Sequence, residues 1–147
     1  MVMPAAPGKI SAEDRLAITD AVHRFFALVD GGKAASTADI FTADASLTFG
    51  PGSPNPGTIE GAEIGAAMVA REAQVNAFTR HCISNLQFVR GPNGTVQVSY
   101  IMILFRSDDA TRSSIPSFVA DAAEEWVASE GVWRLASRIV TPTFSKP

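Results

Sequence analysis

The chain is poor in the groups that would tie it to several common functions. It has one cysteine, Cys82, in 147 residues, so no internal disulfide can form. Only two histidines accompany that thiol, so no metal site is expected. No cofactor is expected either. Gly50-Pro51-Gly52 and Gly91-Pro92-Asn93-Gly94 are turn sequences without the strand-to-helix setting of a nucleotide loop. A Gly-x-Ser-x-Gly nucleophile turn is absent from the sequence. Charged residues are few at 18%, and the net charge is −3 with Lys and Arg scattered. That excludes the basic field that nucleic-acid binding needs. The longest apolar run, residues 100–105, is far too short for a bilayer, so no membrane partner is expected. The first nine residues lack a cationic segment leading into an apolar one, so no signal peptide is expected and the cytoplasm is the expected location.

What is present is a good core. Hydrophobic residues make up 46% of the chain, enough for one domain with one core. Residues 1–10 read as a flexible arm and 11–147 as a single domain. Ser11 is placed to cap a helix whose first turn carries Glu13 and Asp14, favourable against the positive helix end. Ile18, Val22, Phe25, Phe26 and Val29 follow helical spacing and make one apolar face. Gly31-Gly32 stops this helix just after Asp30. Ser36 is expected to cap a short second helix over 37–41, followed by a strand over 46–49. Residues 50–57, rich in Gly and Pro, must be a loop, and their composition suggests a lid. Gly61 opens a further helix with Ile64, Met68 and Val75 on its buried side.

From His81 onward the pattern changes to strands. Segments 81–90 and 95–105 flank the turn at 91–94, and segments 115–127 and 132–140 flank Ser129-Glu130-Gly131. Pro116 fits a strand start. Helices followed by long hairpins predict an α+β domain, with N-terminal helices packed on a curved antiparallel sheet. Such a cone encloses a pocket suited to a small molecule.

Two residues carry most of the chemistry. Asp30 follows Phe26 by one helical turn, and His81 opens a strand. Brought together in an apolar pocket, they form an acid/base pair. His81 would take a proton, and Asp30 would orient the ring and stabilise the imidazolium. Read alone, each has a plainer role, Asp30 as a solvated helix exit and His81 as a structural strand residue. Phe25, Phe26, Phe49 and Met68 are candidate cavity walls. Asn85, two alternations beyond His81, is a candidate hydrogen-bond donor to a ligand. Tyr100, the single tyrosine, sits on a central strand and serves either the core or the cavity. Arg138 either points inward or makes a surface ion pair with Glu124 or Glu125. Cys82 and Arg80 alternate away from His81, and His23 lies at the edge of its helix. Trp126 and Trp133 read as packing or subunit interface, and Leu86 and Phe88 as part of an apolar outer sheet face.

The order of these features resembles the SnoaL-like branch of the NTF2-like superfamily. It is carried by the helix with a terminal Asp, by Phe41-Thr42-Ala43-Asp44-Ala45, by Arg80-His81-Cys82-Ile83-Ser84-Asn85, and by Gly131-Val132-Trp133-Arg134-Leu135-Ala136-Ser137-Arg138. The resemblance spans residues 12–144 and is nearest in motif to scytalone dehydratases and hexachlorocyclohexane dehydrochlorinases. It implies an α+β NTF2-like cone with Asp30 and His81 as the catalytic pair. It also implies Arg138 as the last-strand arginine of the dehydrochlorinases. Two departures stand out. Phe25 occupies a position where relatives carry Tyr or Lys, and the second histidine of the fungal dehydratases has no counterpart. The implied function is a cofactor-independent lyase or isomerase, with dehydratase-like elimination foremost. The alternatives are a non-catalytic module for a small hydrophobic ligand and a small subunit of a ring-hydroxylating oxygenase. The expected partners are a small apolar organic ligand and a second copy of the chain, as a dimer in preference to a trimer.

Overall fold

The structure, a computed structural model, describes residues 8–109, 112 and 114–146. Helix α1 runs Ala12–Asp30, and the Ser11 hydroxyl accepts the amide of Asp14. Its buried residues are Ile18, Val22, Phe25, Phe26 and Val29, the five that the helical period assigns. The amide of Gly31 bonds back to the Ala27 carbonyl, and Gly32 takes φ 76°, a conformation open to glycine, so the chain leaves the helix directly after Asp30.

The expected helix over 37–41 is instead a 3-10 helix, Ala34–Ile40. Ser36 makes no cap there. The buried Thr37 hydroxyl donates to the Ala34 carbonyl at 2.7 Å, which tightens the segment from within. Phe41 belongs to β1 (Phe41–Phe49), a longer strand than its apolar pattern suggests. The 50–56 loop is anchored to the end of the chain. The Gly50 amide reaches the Val140 carbonyl at 2.8 Å, and the Ser145 hydroxyl reaches the Gly52 carbonyl. A short strand missed in the sequence, β2 (Gly57–Glu60), follows and pairs back on β1. Helix α2 (Ala62–Ala73) buries Ile64, with Met68 packed beside the core. Val75 lies beyond the end of α2 and is 80% exposed, so it is not on the buried side.

Four long strands complete the domain: β3 (Phe78–Arg90), β4 (Val96–Ser107), β5 (Phe118–Ser129) and β6 (Val132–Ser145). Sheet order is β2-β1-β6-β5-β4-β3. All pairings are antiparallel except β1 with β6, which is parallel, so the curved sheet is mixed and open. No hairpin joins β1 to β6, so local sequence does not fix their relative direction. The helices cover the inner face, where Val96, Val98, Tyr100, Met102 and Leu104 of β4 are all buried. Ile10, assigned to the arm by sequence, is buried in this core, and the first seven residues lie outside the described residues.

A bulge in β3 overturns one part of the strand reading. Ser84 pairs with Ile101 and Gln87 with Ser99, so Asn85 and Leu86 together face the single residue Tyr100. Asn85 takes φ 60°, which an asparagine tolerates better than most residues. The extra residue reverses the alternation. Leu86 and Phe88 turn inward against the core, while Asn85 and Gln87 turn outward. The tryptophans also pack: Trp126 is fully buried, and Trp133 donates to the Asp14 carboxylate at 2.9 Å.

Candidate active site

α1 delivers Asp30 to the start of β3, and one carboxylate there collects three donors. Its Oδ1 lies 2.7 Å from the Nδ1 of His81 and accepts the Thr79 hydroxyl at 2.8 Å. Its Oδ2 accepts the His81 backbone amide at 2.9 Å. Ring and main chain of His81 are thus held by the same group, which leaves the imidazole little freedom to turn. A carboxylate at the negative end of a helix is poorly placed unless other donors compensate. Burial alone would raise the Asp30 carboxyl, but the hydrogen bonds and charge of His81, with the Thr79 hydroxyl, outweigh it and hold the group below its ordinary value. Arg71 supports the arrangement from behind by donating to the Thr79 oxygen at 3.0 Å.

The His81 and Asp30 side chains are only 12% and 13% exposed. With Nδ1–H directed at the carboxylate, the lone pair of the neutral ring sits on Nε2. That nitrogen has no hydrogen-bond partner among the described residues and is not among their buried unpartnered atoms. The Phe26 ring lies 4.7 Å from the imidazole, centroid to centroid, and makes an edge contact with Tyr100.

Beside Phe26 stands a second buried polar cluster. Arg138 faces inward and is 4% exposed, its guanidinium 4.2 Å above the Phe25 ring and 4.8 Å above Phe26. Its Nε donates to Glu124 Oε2, which also accepts the Tyr100 hydroxyl at 2.7 Å. Glu124 Oε1 accepts the Trp126 indole at 3.0 Å. The sequence posed inward orientation and pairing with Glu124 as alternatives for Arg138, and both hold because Glu124 itself points into the core. Burial pushes the Tyr100 phenol well up, so it stays protonated as a donor. Burial works against the charge of Arg138, but the Glu124 carboxylate beside it outweighs burial and keeps the guanidinium protonated. Its Nη2 is buried without a hydrogen-bond partner.

The fold therefore brings Phe25, Phe26, His81, Asp30, Tyr100 and Arg138 into one continuous cluster. Phe49 and Met68 pack at the margin of the same core. Asn85 does not join them: the bulge sends it to the outer face, where it lines a cavity of about 350 Å³ with Gln87, Ser99 and Asp121. A second cavity, about 230 Å³, lies at the start of β3 and is lined by Thr79 and Arg80 but not His81. His23 and Cys82 are exposed, as their positions suggest. Sequence reasoning missed Thr79 and Arg71 as supports, and it named Glu124 only as a surface partner of Arg138. Glu124 carried a usable signal, because it alternates with Ala120, Ala122 and Trp126 on the buried face of β5. Among the described residues, no group of three His, Cys, Asp or Glu is arranged to hold a metal, and no helix is long and apolar enough to cross a membrane.

Comparison with known proteins agrees with this architecture. The family model of the SnoaL-like domain matches residues 11–139. No curated protein matches the sequence. Among solved structures, an NTF2-like protein with a cystatin-like fold from Novosphingobium aromaticivorans superposes with a TM-score of 0.73 at 19% identity, over 89% of this chain and 82% of that one. A protein of the same organism, provisionally called a scytalone dehydratase, gives 0.74 at 15% identity, over 91% and 87%. A third from that organism, provisionally called the β subunit of an aromatic-ring-hydroxylating dioxygenase, gives 0.74 at 17% identity, over 89% and 90%. At these identities the likeness establishes the cystatin-like, NTF2-like fold.

Proposed function

The chain belongs to the SnoaL-like domain family, and on that premise we propose that it is a cofactor-independent lyase or isomerase acting on a small, mostly apolar molecule. One observation carries the reading: His81 is gripped through Nδ1 and its backbone amide by Asp30, while Nε2 remains free to accept a proton. In the elimination, Nε2 takes a proton from carbon beside a carbonyl or other activating group. The C–H electrons form the new double bond, and the leaving group departs with its own pair. For a hydroxyl, the imidazolium then returns the proton and water is released. Asp30 stabilises the imidazolium in between, a role that costs nothing at the moment of reaction because the carboxylate is already in place. Phe25, Phe26 and Tyr100, with Phe49 and Met68 at the margin, form the apolar surround. Arg138 supplies positive charge for the departing group or the enolate, and its unpartnered Nη2 is the donor available for that contact. Isomerisation uses the same base and returns the proton to a different carbon.

The test is a substrate screen with β-hydroxy and β-halo carbonyl compounds, using wild type and Asp30→Asn. Asp30→Asn should lose most of the turnover at unchanged folding. Full activity in that variant would sink the mechanism. We further propose a homodimer through the outer sheet face, where Ile139 and Ile101 line one hollow and Val89 is exposed further along β3. Light scattering of the purified chain reads that directly.

A second reading, ligand binding without turnover, is favoured by the placement of both described cavities away from His81. It predicts that a ligand protects the fold while remaining chemically unchanged. A subunit role beside a larger oxygenase chain predicts co-purification with that chain, and a stable homo-oligomer without it counts against the role.

A further inference from the structure

The smaller cavity has a chemistry that the proton-transfer reading does not use. Strand alternation and register put Phe78, Arg80, Phe105 and Ser107 side by side on the outer face, since Arg80 pairs with Phe105 and Phe78 with Ser107. Arg106 and Arg112 complete the wall of this hollow of about 230 Å³. Arg112 lies 3.7 Å above the Phe78 ring, and Phe78 is 41% exposed. Arg71 stands behind, bonded to Thr79. Arg80, Arg106 and Arg112 thus line the hollow from β3, β4 and the β4–β5 connection.

Acidic side chains stand beside these guanidinium groups. Asp108 is engaged by Arg106 at 2.7 Å, and Asp109 lies beside the Ser107 hydroxyl. Asp30 is turned inward to His81 and Thr79. Arg80 donates to the Thr79 and Asp30 carbonyls, which satisfies its hydrogen bonds without cancelling its charge. Burial, and then the charge of Arg106, push Arg71 down from its ordinary value, while Asp30 and Asp108 act in the opposite direction. The helix ends explain only part of the arginine cluster. Arg71, in the last turn of α2, and Arg80, at the end of α1, complement helix termini, whereas Arg106 and Arg112 do not.

We propose that this hollow binds a small aromatic carboxylate, with its carboxylate on the arginine wall and its ring against Phe78 and Phe105. A guanidinium matches a carboxylate in a two-point fork, and phenyl walls favour a planar apolar body. The volume is below the usual range for drug-sized ligands, so one ring with its substituent fills it. The hollow adjoins the Asp30–His81 pair through Thr79 and Arg80, but His81 does not line it, and binding there does not require that pair to turn over a substrate.

The probe is benzoate, titrated into the full chain and followed by backbone amide shifts, with benzamide as its uncharged match and inorganic phosphate as the second anion. The expected result is saturable benzoate binding with shifts centred on residues 78–80 and 105–107, and benzamide weaker by about tenfold or more. Arg80→Gln and Phe78→Ala should each weaken benzoate severalfold while leaving the spectrum of the rest of the domain intact. Equal binding of benzamide and benzoate overturns the proposal, as does benzoate binding centred on Tyr100 and Trp126. Phosphate binding tighter than benzoate, unaffected by Phe78→Ala, overturns the ligand class. The wild-type comparison needs no variant, so a folding defect in either substitution leaves the test decisive.

Discussion

Asp30 and His81 lie fifty-one residues apart in the chain and 2.7 Å apart in the fold. The contact joins the last residue of α1 to the fourth residue of β3, and Thr79 and Arg71 brace it from the side. Two polar side chains at element ends, rather than on a mobile loop, make a rigid proton-transfer pair.

The coupling has a direct signature in the Asp30 carboxyl. Its titration, read by carbon NMR, should sit below the ordinary value of 3.8 in wild type. In His81→Gln it should move up, because the ring charge and ring hydrogen bond that outweigh burial are gone. Identical titration in both proteins would mean that the two residues do not interact in solution.

The same shift predicts an acid dependence. A carboxyl with a depressed folded value contributes stability that is fully present above 3.8, its unfolded reference, and is lost as pH falls through the lower folded value. Wild type should therefore exceed Asp30→Asn in stability at neutral pH, and the gap should close in acid below 3.8. Urea unfolding of both proteins across that window is the measurement, and subtraction removes the contributions of Asp14 and Asp108, which are also depressed.

Glu124 supports the buried charge of Arg138. Removing it as Glu124→Ala strands a guanidinium in the core, with an expected loss of about 3–5 kcal/mol. Adding Arg138→Met to Glu124→Leu should recover only part of that loss: no charge is then stranded, but the Tyr100 hydroxyl and the Trp126 indole remain without their acceptor. Chemical denaturation of the single and double variants checks it. A single variant as stable as wild type would show that the pair carries no such dependence.

The β3 bulge is a point of conformational strain with a testable sign. Asn85→Gly should be near neutral in stability, whereas Asn85→Val should cost about 1–2 kcal/mol because a β-branched residue resists φ 60°. Thermal unfolding separates the two. Deleting Asn85 leaves Leu86 opposite Tyr100 and Gln87 opposite Ser99, so simple alternation keeps Leu86 and Phe88 in the core and folding should stay cooperative.

The cap makes a smaller prediction. Ser11→Ala removes the acceptor for the Asp14 amide and should cost about 1 kcal/mol, read from the same unfolding curves.

Much of this protein was legible in one dimension. The apolar period of α1, its Ser11 start and Gly31-Gly32 stop, and the two hairpins are set by contacts within a few residues, so local sequence fixes them. The pairing of Asp30 with His81 was legible only through the order of motifs, because spacing alone does not bring residues fifty-one apart together. Glu124 was half legible: it stood as one of two ion-pair partners for Arg138, but at the surface rather than in the core.

Tertiary structure decided the rest. The parallel pairing of β1 with β6 depends on the path of the whole chain between them, and so does the mixed sheet. The outward turn of Asn85 depends on one extra residue in a ladder whose register is set across strands. Arg138 could face either way until β5 and β6 aligned it with Glu124 in the core. Side-chain period is a property of a strand alone, but the face that becomes buried, and the charge that waits there, is a property of what packs against it.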